Sequence, residues 1–304
     1  MPKFFQMNSI SSQTGRVAII TGANSGIGFE SALELAKKDV EVILACRSLD
    51  KAHRAANTIS ENYPGAKTAV IKLDTSSLSS VREFSEEFLS KYSQLDILVN
   101  NAGIMMPPYS KTEEGFESQF ATNYLGHFLL TGMLLKSLEK TQGSRVVTVS
   151  SLAHKWGDLY FDDLGFERKY DAKRAYGQSK LACLMFAYEL QRKFKAKKYQ
   201  TKSLAVHPGI SYTNLFSNTS FLIRKSTEFL TSSLFQDAAQ GALPTLAAAL
   251  DPTFLGGEYI GPGGFQEFRG KPKVVTSNKN SRNKQKAQML WERSEKLTGY
   301  TYFQ

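Results

Sequence analysis

A short apolar run, Arg16-Val-Ala-Ile-Ile-Thr21, passes straight into Gly22-Ala-Asn-Ser-Gly26-Ile-Gly28, and helical spacing of apolar residues starts directly after it. Strand, glycine-rich turn and helix in that order form a nucleotide site, because backbone N–H groups and the positive helix N-terminus meet a pyrophosphate where Cβ atoms would obstruct it. Gly22, Asn24, Ser25, Gly26, Ile27 and Gly28 are therefore candidate cofactor contacts. The spacing Gly-x-x-x-Gly-x-Gly departs from the general Gly-x-Gly-x-x-Gly fingerprint, and taken alone a plain structural turn also accounts for it.

The alternation continues along the chain. Strand-like runs at 17–20, 40–45, 69–73, 95–99, 145–149, 204–206 and 258–260 are separated by amphipathic stretches such as 27–38, 51–62, 79–91 and 178–194. Continuous rather than period-two apolar runs mark strands covered on both faces, so the expected fold is α/β, a doubly wound parallel sheet in a single domain. At 304 residues and 41% hydrophobic the chain can bury one large core. The expected division is an N-terminal extension at 1–14, the α/β domain at 15–265 and a basic tail with a terminal helix at 266–304.

Tyr176 and Lys180 stand four residues apart in a helical stretch, which places phenol and ammonium on one face. A free tyrosine ionises near ~10 and is a sluggish acid or base at neutral pH. A unit charge at about 4 Å, with an effective dielectric near 20, is worth roughly 4 kcal/mol. That is enough to lower the phenol pKa by at most about three, toward neutrality. Taken alone, chance pairing on a solvated face explains a Tyr-x-x-x-Lys better than catalysis does. Ser151, after the apolar run 146–149, supplies a hydroxyl upstream.

Together these motifs resemble the short-chain dehydrogenase/reductase family. Its Thr-Gly-x-x-x-Gly-x-Gly is matched by Thr21 to Gly28, and its Asn-Asn-Ala-Gly by Asn100 to Gly103. The helix asparagine is matched by Asn123, the serine by Ser151, the Tyr-x-x-x-Lys by Tyr176 and Lys180, and Pro-Gly-x-x-x-Thr by Pro208 to Thr213. The long segment between Ser151 and Tyr176 carries Phe161-Asp-Asp-Leu164, which looks like the retinol dehydrogenase and WW-domain oxidoreductase branch. The run Leu290 to Gly299 also resembles uncharacterised bacterial reductases near that branch.

The resemblance implies a Rossmann fold and hydride transfer between a nicotinamide and a carbonyl or alcohol, with Asn123, Ser151, Tyr176 and Lys180 as the catalytic set. It implies cofactor contacts at Asp74, Asn101, Ala102, Gly103, Tyr176, Lys180, Pro208, Gly209, Ile210 and Thr213. Arg47 and Ser48 stand where an NAD enzyme places an acid, and a guanidinium suits a 2′-phosphate, so NADP rather than NAD is expected. Asp50 is the residue that could reverse that preference. Asp74 also suits a turn-capping role. Neither His127 nor His154 has metal-ligand spacing. No metal is expected; His127 reads as core and His154 as a pocket wall.

Leu215, Phe216, Phe221, Leu222, Ile223, Phe229, Leu230 and Leu234, broken by polar residues, read as a substrate lid over 214–236 or as two helices packed on the core. A lid of that kind favours an apolar substrate over a sugar. Apolar residues around much of the helices near 125–135 and 181–190 need a second partner surface. Two explanations stay open: a homodimer, as the resemblance suggests, or cover by the chain's own tail.

The chain carries 38 basic and 28 acidic residues, a net charge of +10. Much of the excess sits at 271–286 and 193–198, where a solvated tail and a helix C-terminus account for it without nucleic acid. Two cysteines make no disulfide framework and point to a reducing compartment. No run reaches the ~18 apolar residues of a membrane span, so a cytoplasmic relative without stable membrane insertion is expected. A dinucleotide-binding sensor or scaffold without turnover is the alternative function.

Overall fold

The computed structural model describes residues 5–210 and 236–303. Among them, one sheet is built from β1 Val17–Thr21, β2 Glu41–Cys46, β3 Thr68–Lys72, β4 Ile97–Asn100, β5 Arg145–Val149, β6 Lys202–Val206, β7 Tyr259–Pro262 and β8 Pro272–Val274. The strand order is β3-β2-β1-β4-β5-β6-β7-β8. Pairing is parallel, with register such as Ile20↔Val99 and Val147↔Leu204, until β8, which runs antiparallel to β7. The architecture is the expected single α/β domain. The short strand β8 comes from the segment read as tail and adds an eighth strand to the sheet.

Both faces of the sheet are covered, which is why its strands read as unbroken apolar runs. Ala18 and Ile20 of β1 pack with Ala32 and Leu35 of α1 (Gly26–Ala36) and Leu246 of α8 (Ala238–Leu250). Ile19, pointing the other way, joins Phe84 of α3 (Leu78–Lys91), Phe128 of α5 (Gly126–Met133) and Met185 of α7 (Ala172–Lys197). Each such Ile, Leu, Phe or Met side chain, fully buried, contributes roughly 1.5–3 kcal/mol. Among the described residues the remaining α-helices are α2 Leu49–Asn62, α4 Ser118–Phe120, α6 Leu135–Lys140 and α9 Lys284–Thr298, with a π-helical turn at Ala121–Leu125 between α4 and α5.

Strand order reverses between β1 and β4, and at such a switch point the carboxyl ends of the strands open a crevice. Gly22 after β1, Asn101 after β4, Ser151 after β5 and Pro208 after β6 all leave the sheet on this edge.

The apolar faces of α5 and α7 are covered by the chain's own C-terminus. Trp291 of α9 stacks on Phe186 at 5.8 Å and meets Phe128 edge-on at 5.1 Å. Tyr300 Oη donates to the Gly132 carbonyl at 2.7 Å, and Tyr302 Oη donates to that of Phe128. Of the two explanations for those faces, the intramolecular one accounts for this surface.

Candidate active site

The glycine turn is built around a close approach. A Cβ at Gly28 would lie 2.4 Å from the Gly22 carbonyl oxygen and 2.6 Å from Asn101 Nδ2, so no side chain fits there. Ser25, the N-cap of α1, places no side-chain oxygen on the first-turn amides. Open amides at a helix N-terminus above a bare turn fit a pyrophosphate. The turn is tied to β4 through Thr21, which the motif contains but to which its pattern assigns no contact. Its Oγ1 accepts the amides of Asn101 at 2.9 Å and Ala102 at 2.8 Å, while Asn101 Nδ2 donates to the Thr21 carbonyl at 2.8 Å. A hydroxyl ending an otherwise apolar buried strand is the signal that marks it.

His127 is core, as expected. Its Nδ1–H donates to the Asn123 carbonyl at 2.9 Å, leaving Nε2 to accept from Thr21 Oγ1 at 2.9 Å, and burial pushes its pKa down to about 4. Arg47 follows β2 with an exposed guanidinium 3.8 Å from Asp74 Oδ2, and Ser48 stands at the N-cap position of α2 without a side-chain bond to its amides. Asp74 Oδ1 also accepts from the Ser76 amide at 2.9 Å, the turn-capping role weighed for it.

Asn123 sits within the π-helical turn, a single-turn irregularity of a kind that frequently marks a functional position. Its Oδ1 accepts the Ile104 amide at 2.8 Å, and its Nδ2 donates to Ser179 Oγ at 2.9 Å. This side chain therefore clamps the loop after Gly103 to the helix that carries Tyr176.

Ser151 follows β5 with its Oγ accepting the Ala153 amide at 3.1 Å, and its hydroxyl lies beside the Tyr176 phenol. Ser150 turns the other way and donates to the Lys180 carbonyl at 2.7 Å, as strand alternation requires. Lys180 Nζ donates to the Val149 carbonyl at 3.1 Å and stands 6.0 Å from the Tyr176 ring centroid.

The expected effect of that pairing on the phenol is reversed. Burial pushes the Tyr176 pKa up to about 12, the neighbouring Ser151 hydroxyl opposing it, and burial lowers that of Lys180. Desolvation penalises both charged forms, and the ammonium, turned to a carbonyl, does not offset it.

His154 also departs from expectation. It is fully buried among the described residues and presents no surface to solvent. Its Nδ1–H donates to the Ser151 carbonyl at 2.7 Å and its Nε2 accepts the Asn278 amide at 3.4 Å, so it braces the serine from behind. The turn Pro208, Gly209 and Ile210 follows β6; Thr213 and the apolar stretch 214–235 lie outside the described residues.

A doubly wound sheet with a glycine turn at its switch point and a serine–tyrosine contact beside it defines a dinucleotide-fold enzyme. The chain belongs to the short chain dehydrogenase family, whose model matches residues 16–220. It is 41% identical over 287 residues to retinol dehydrogenase 12 of Mus musculus, covering 94% of this chain and 87% of that one. It is 37% identical over 290 residues to polyprenol dehydrogenase of Homo sapiens, covering 93% and 85%. A crystal structure of an uncharacterized protein from Mycobacterium Paratuberculosis matches 99% of each chain at 38% identity and a TM-score of 0.82. The protein is thus an oxidoreductase of the dehydrogenase/reductase type near the retinol dehydrogenase branch. No described helix is long and apolar enough to cross a membrane.

Proposed function

We propose that the enzyme uses NADP(H) and moves a hydride between the nicotinamide and a carbonyl or alcohol carbon of an apolar small molecule, with Tyr176 as proton donor and acceptor. The contact between Ser151 and the buried Tyr176 phenol, on the same sheet edge as the bare glycine turn, carries this reading. The dinucleotide would be held by the α1 amides and Gly22 to Gly28 at its pyrophosphate, by Arg47 and Ser48 at a 2′-phosphate, by Asp74 at the adenine end, and by Asn101, Ala102, Gly103, Lys180 and the Pro208 to Thr213 segment toward the nicotinamide.

In reduction, Ser151 Oγ donates a hydrogen bond to the substrate oxygen and stabilises its developing charge, while Tyr176 Oη gives that oxygen its proton. A phenol held up at about 12 stays protonated at neutral pH, which suits the donor role. Asn123 keeps the Gly103 loop and the Tyr176 helix in register. Retinol and polyprenol, named for two relatives, are both apolar alcohols, in keeping with an apolar substrate here.

The test is a panel of apolar aldehydes and ketones with NADPH and with NADH. Tyr176→Phe is expected to lower kcat by roughly 10²- to 10⁴-fold, the range for loss of a general acid. Arg47→Ala is expected to raise the NADPH KM roughly 10- to 100-fold and leave NADH nearly unchanged, as loss of a charge-assisted hydrogen bond does. An active Tyr176→Phe protein removes the proton donor from this reading; dinucleotide binding without turnover of any substrate points to a sensor.

A further inference from the structure

Behind the site lies a buried set of polar side chains that the proposed chemistry does not use. His207, just after β6, is fully enclosed, with its ring centroid 5.1 Å from that of Tyr259 in β7. Its Nδ1 accepts the Gly209 amide at 3.2 Å. The neutral imidazole therefore carries its proton on Nε2, which faces Glu267 Oε2 at 3.3 Å, at an angle short of a straight hydrogen bond.

The same hairpin tip grips the next residue: the Phe268 carbonyl accepts the Ile210 amide at 2.9 Å. Gln236 closes the other side, its amide donating to the Ile210 carbonyl at 3.0 Å and its Nε2 to that of Pro208. Gly209 has φ +72°, and a Cβ on it would lie 2.3 Å from the Phe268 oxygen. Gln266 and Glu267, neither of them glycine, both take positive φ, 48° and 61°. Consecutive left-handed residues are strained and persist where surrounding contacts hold them; here that conformation accompanies a carboxylate and a carbonyl turned onto the Pro208 turn.

We propose that His207, backed by Glu267, is a positioning residue that presets the turn Pro208–Gly209–Ile210 for the nicotinamide end of the dinucleotide. The inference rests on the functional reading above. A turn already fixed in its binding conformation loses less entropy when the ligand arrives. The imidazole must be neutral to do this, since a proton on Nδ1 would confront the Gly209 N–H. Burial beside the neutral Tyr259 phenol disfavours the imidazolium, Glu267 on the hairpin favours it, Lys155 and His154 after β5 oppose it, and the net effect lowers the His207 pKa. Removing the carboxylate lowers it further.

The experiment titrates NADPH and NADH calorimetrically between pH 5 and 8 on wild type, His207→Asn, His207→Ala and Glu267→Gln, with amide exchange of residues 205–210 followed in the ligand-free proteins. His207→Asn keeps an acceptor near Nδ1, and its Kd at pH 8 is expected to stay within about threefold of wild type. His207→Ala is expected to weaken binding about three- to tenfold, as the loss of one hydrogen bond does, and to speed exchange at Gly209. Wild type is expected to bind more weakly as pH falls below the ordinary histidine range, Glu267→Gln to shift that loss to lower pH, and His207→Asn to lack it. Equal weakening by Asn and Ala, or an Ala variant with unaltered Kd and Gly209 exchange, overturns the inference alone. Wild type that binds neither dinucleotide overturns the functional reading, and this inference with it.

Discussion

Tyr176 shows how far one side chain's surroundings decide its chemistry. With burial holding the phenol pKa at about 12, the protonated form needed for reduction is present throughout the neutral range. The reductive kcat is expected to be level from pH 6 to pH 10 and to fall only as pH climbs toward about 12. Oxidation needs the phenolate, so its rate is expected to rise about tenfold per pH unit over the same range. Rate profiles in both directions, taken with saturating dinucleotide, check this; a reductive profile that breaks near neutrality would restore Lys180 as the dominant influence. The Tyr-x-x-x-Lys spacing was legible because a helix sets which residues share a face. The sign of the pKa change was not, because it depends on which of desolvation and ammonium attraction wins, and that follows from Lys180 Nζ turning to the Val149 carbonyl. His154 was unreadable for a related reason: adjacency to Ser151 gives no direction, and its ring turns under the strand end and away from solvent.

At the level of elements, the sheet was legible almost throughout, because each strand covered on two faces writes itself as a continuous apolar run. The exceptions are instructive. β8 has three residues, two of them exposed, and owes its place to pairing with β7 instead of any pattern of its own. Apolar residues around α5 and α7 signalled a second partner surface, but periodicity carries no label for the partner, and α9 fills the place that a second copy might have taken. Trp291 is the centre of that contact: besides Phe186 and Phe128 it meets Tyr302 at 4.6 Å, lies under Lys193 Nζ at 4.6 Å, and donates through Nε1 to Glu295 Oε1 at 3.0 Å. Trp291→Ala is expected to cost roughly 3–5 kcal/mol, the range for emptying a large aromatic site. That corresponds to a fall in Tm on the order of 10 °C. Tyr124, next to Asn123 in the π-helical turn, is hydrogen-bonded to Ser294 of α9 at 2.7 Å, so loosening α9 is also expected to lower kcat at temperatures where the protein remains folded. A thermal melt and an activity series below the new Tm separate the two effects; unchanged Tm would mean that α9 contributes little to the stability of the fold.

Across the whole molecule, the buried histidines make the fold sensitive to acid in a range where carboxylates are still mostly ionised. His127 and His154 are held down to about 4 by burial, and His207 is lowered as well. A group whose folded pKa lies below its unfolded value of 6.5 contributes stability that is fully present above 6.5 and is lost as pH falls toward the folded value. For His127 and His154 the loss is roughly 3 kcal/mol each by pH 4. Their sum, about 6 kcal/mol, is a large share of the ~5–15 kcal/mol that holds a typical domain together. Buried Glu117, with its pKa raised by burial, works in the opposite direction and softens the slope. The net charge of +10 at neutral pH grows as acids protonate, adding self-repulsion to the histidine effect. Urea midpoints measured at intervals from pH 8 to pH 4.5 are expected to hold steady above the histidine range and to decline steeply beneath it. His154→Gln, which keeps an amide donor for the Ser151 carbonyl but cannot take up a proton, is expected to remove a substantial part of that decline while leaving the upper plateau close to wild type. A midpoint that stays level down to pH 4.5 in the wild type would show that these imidazoles take up protons in the folded protein at little cost.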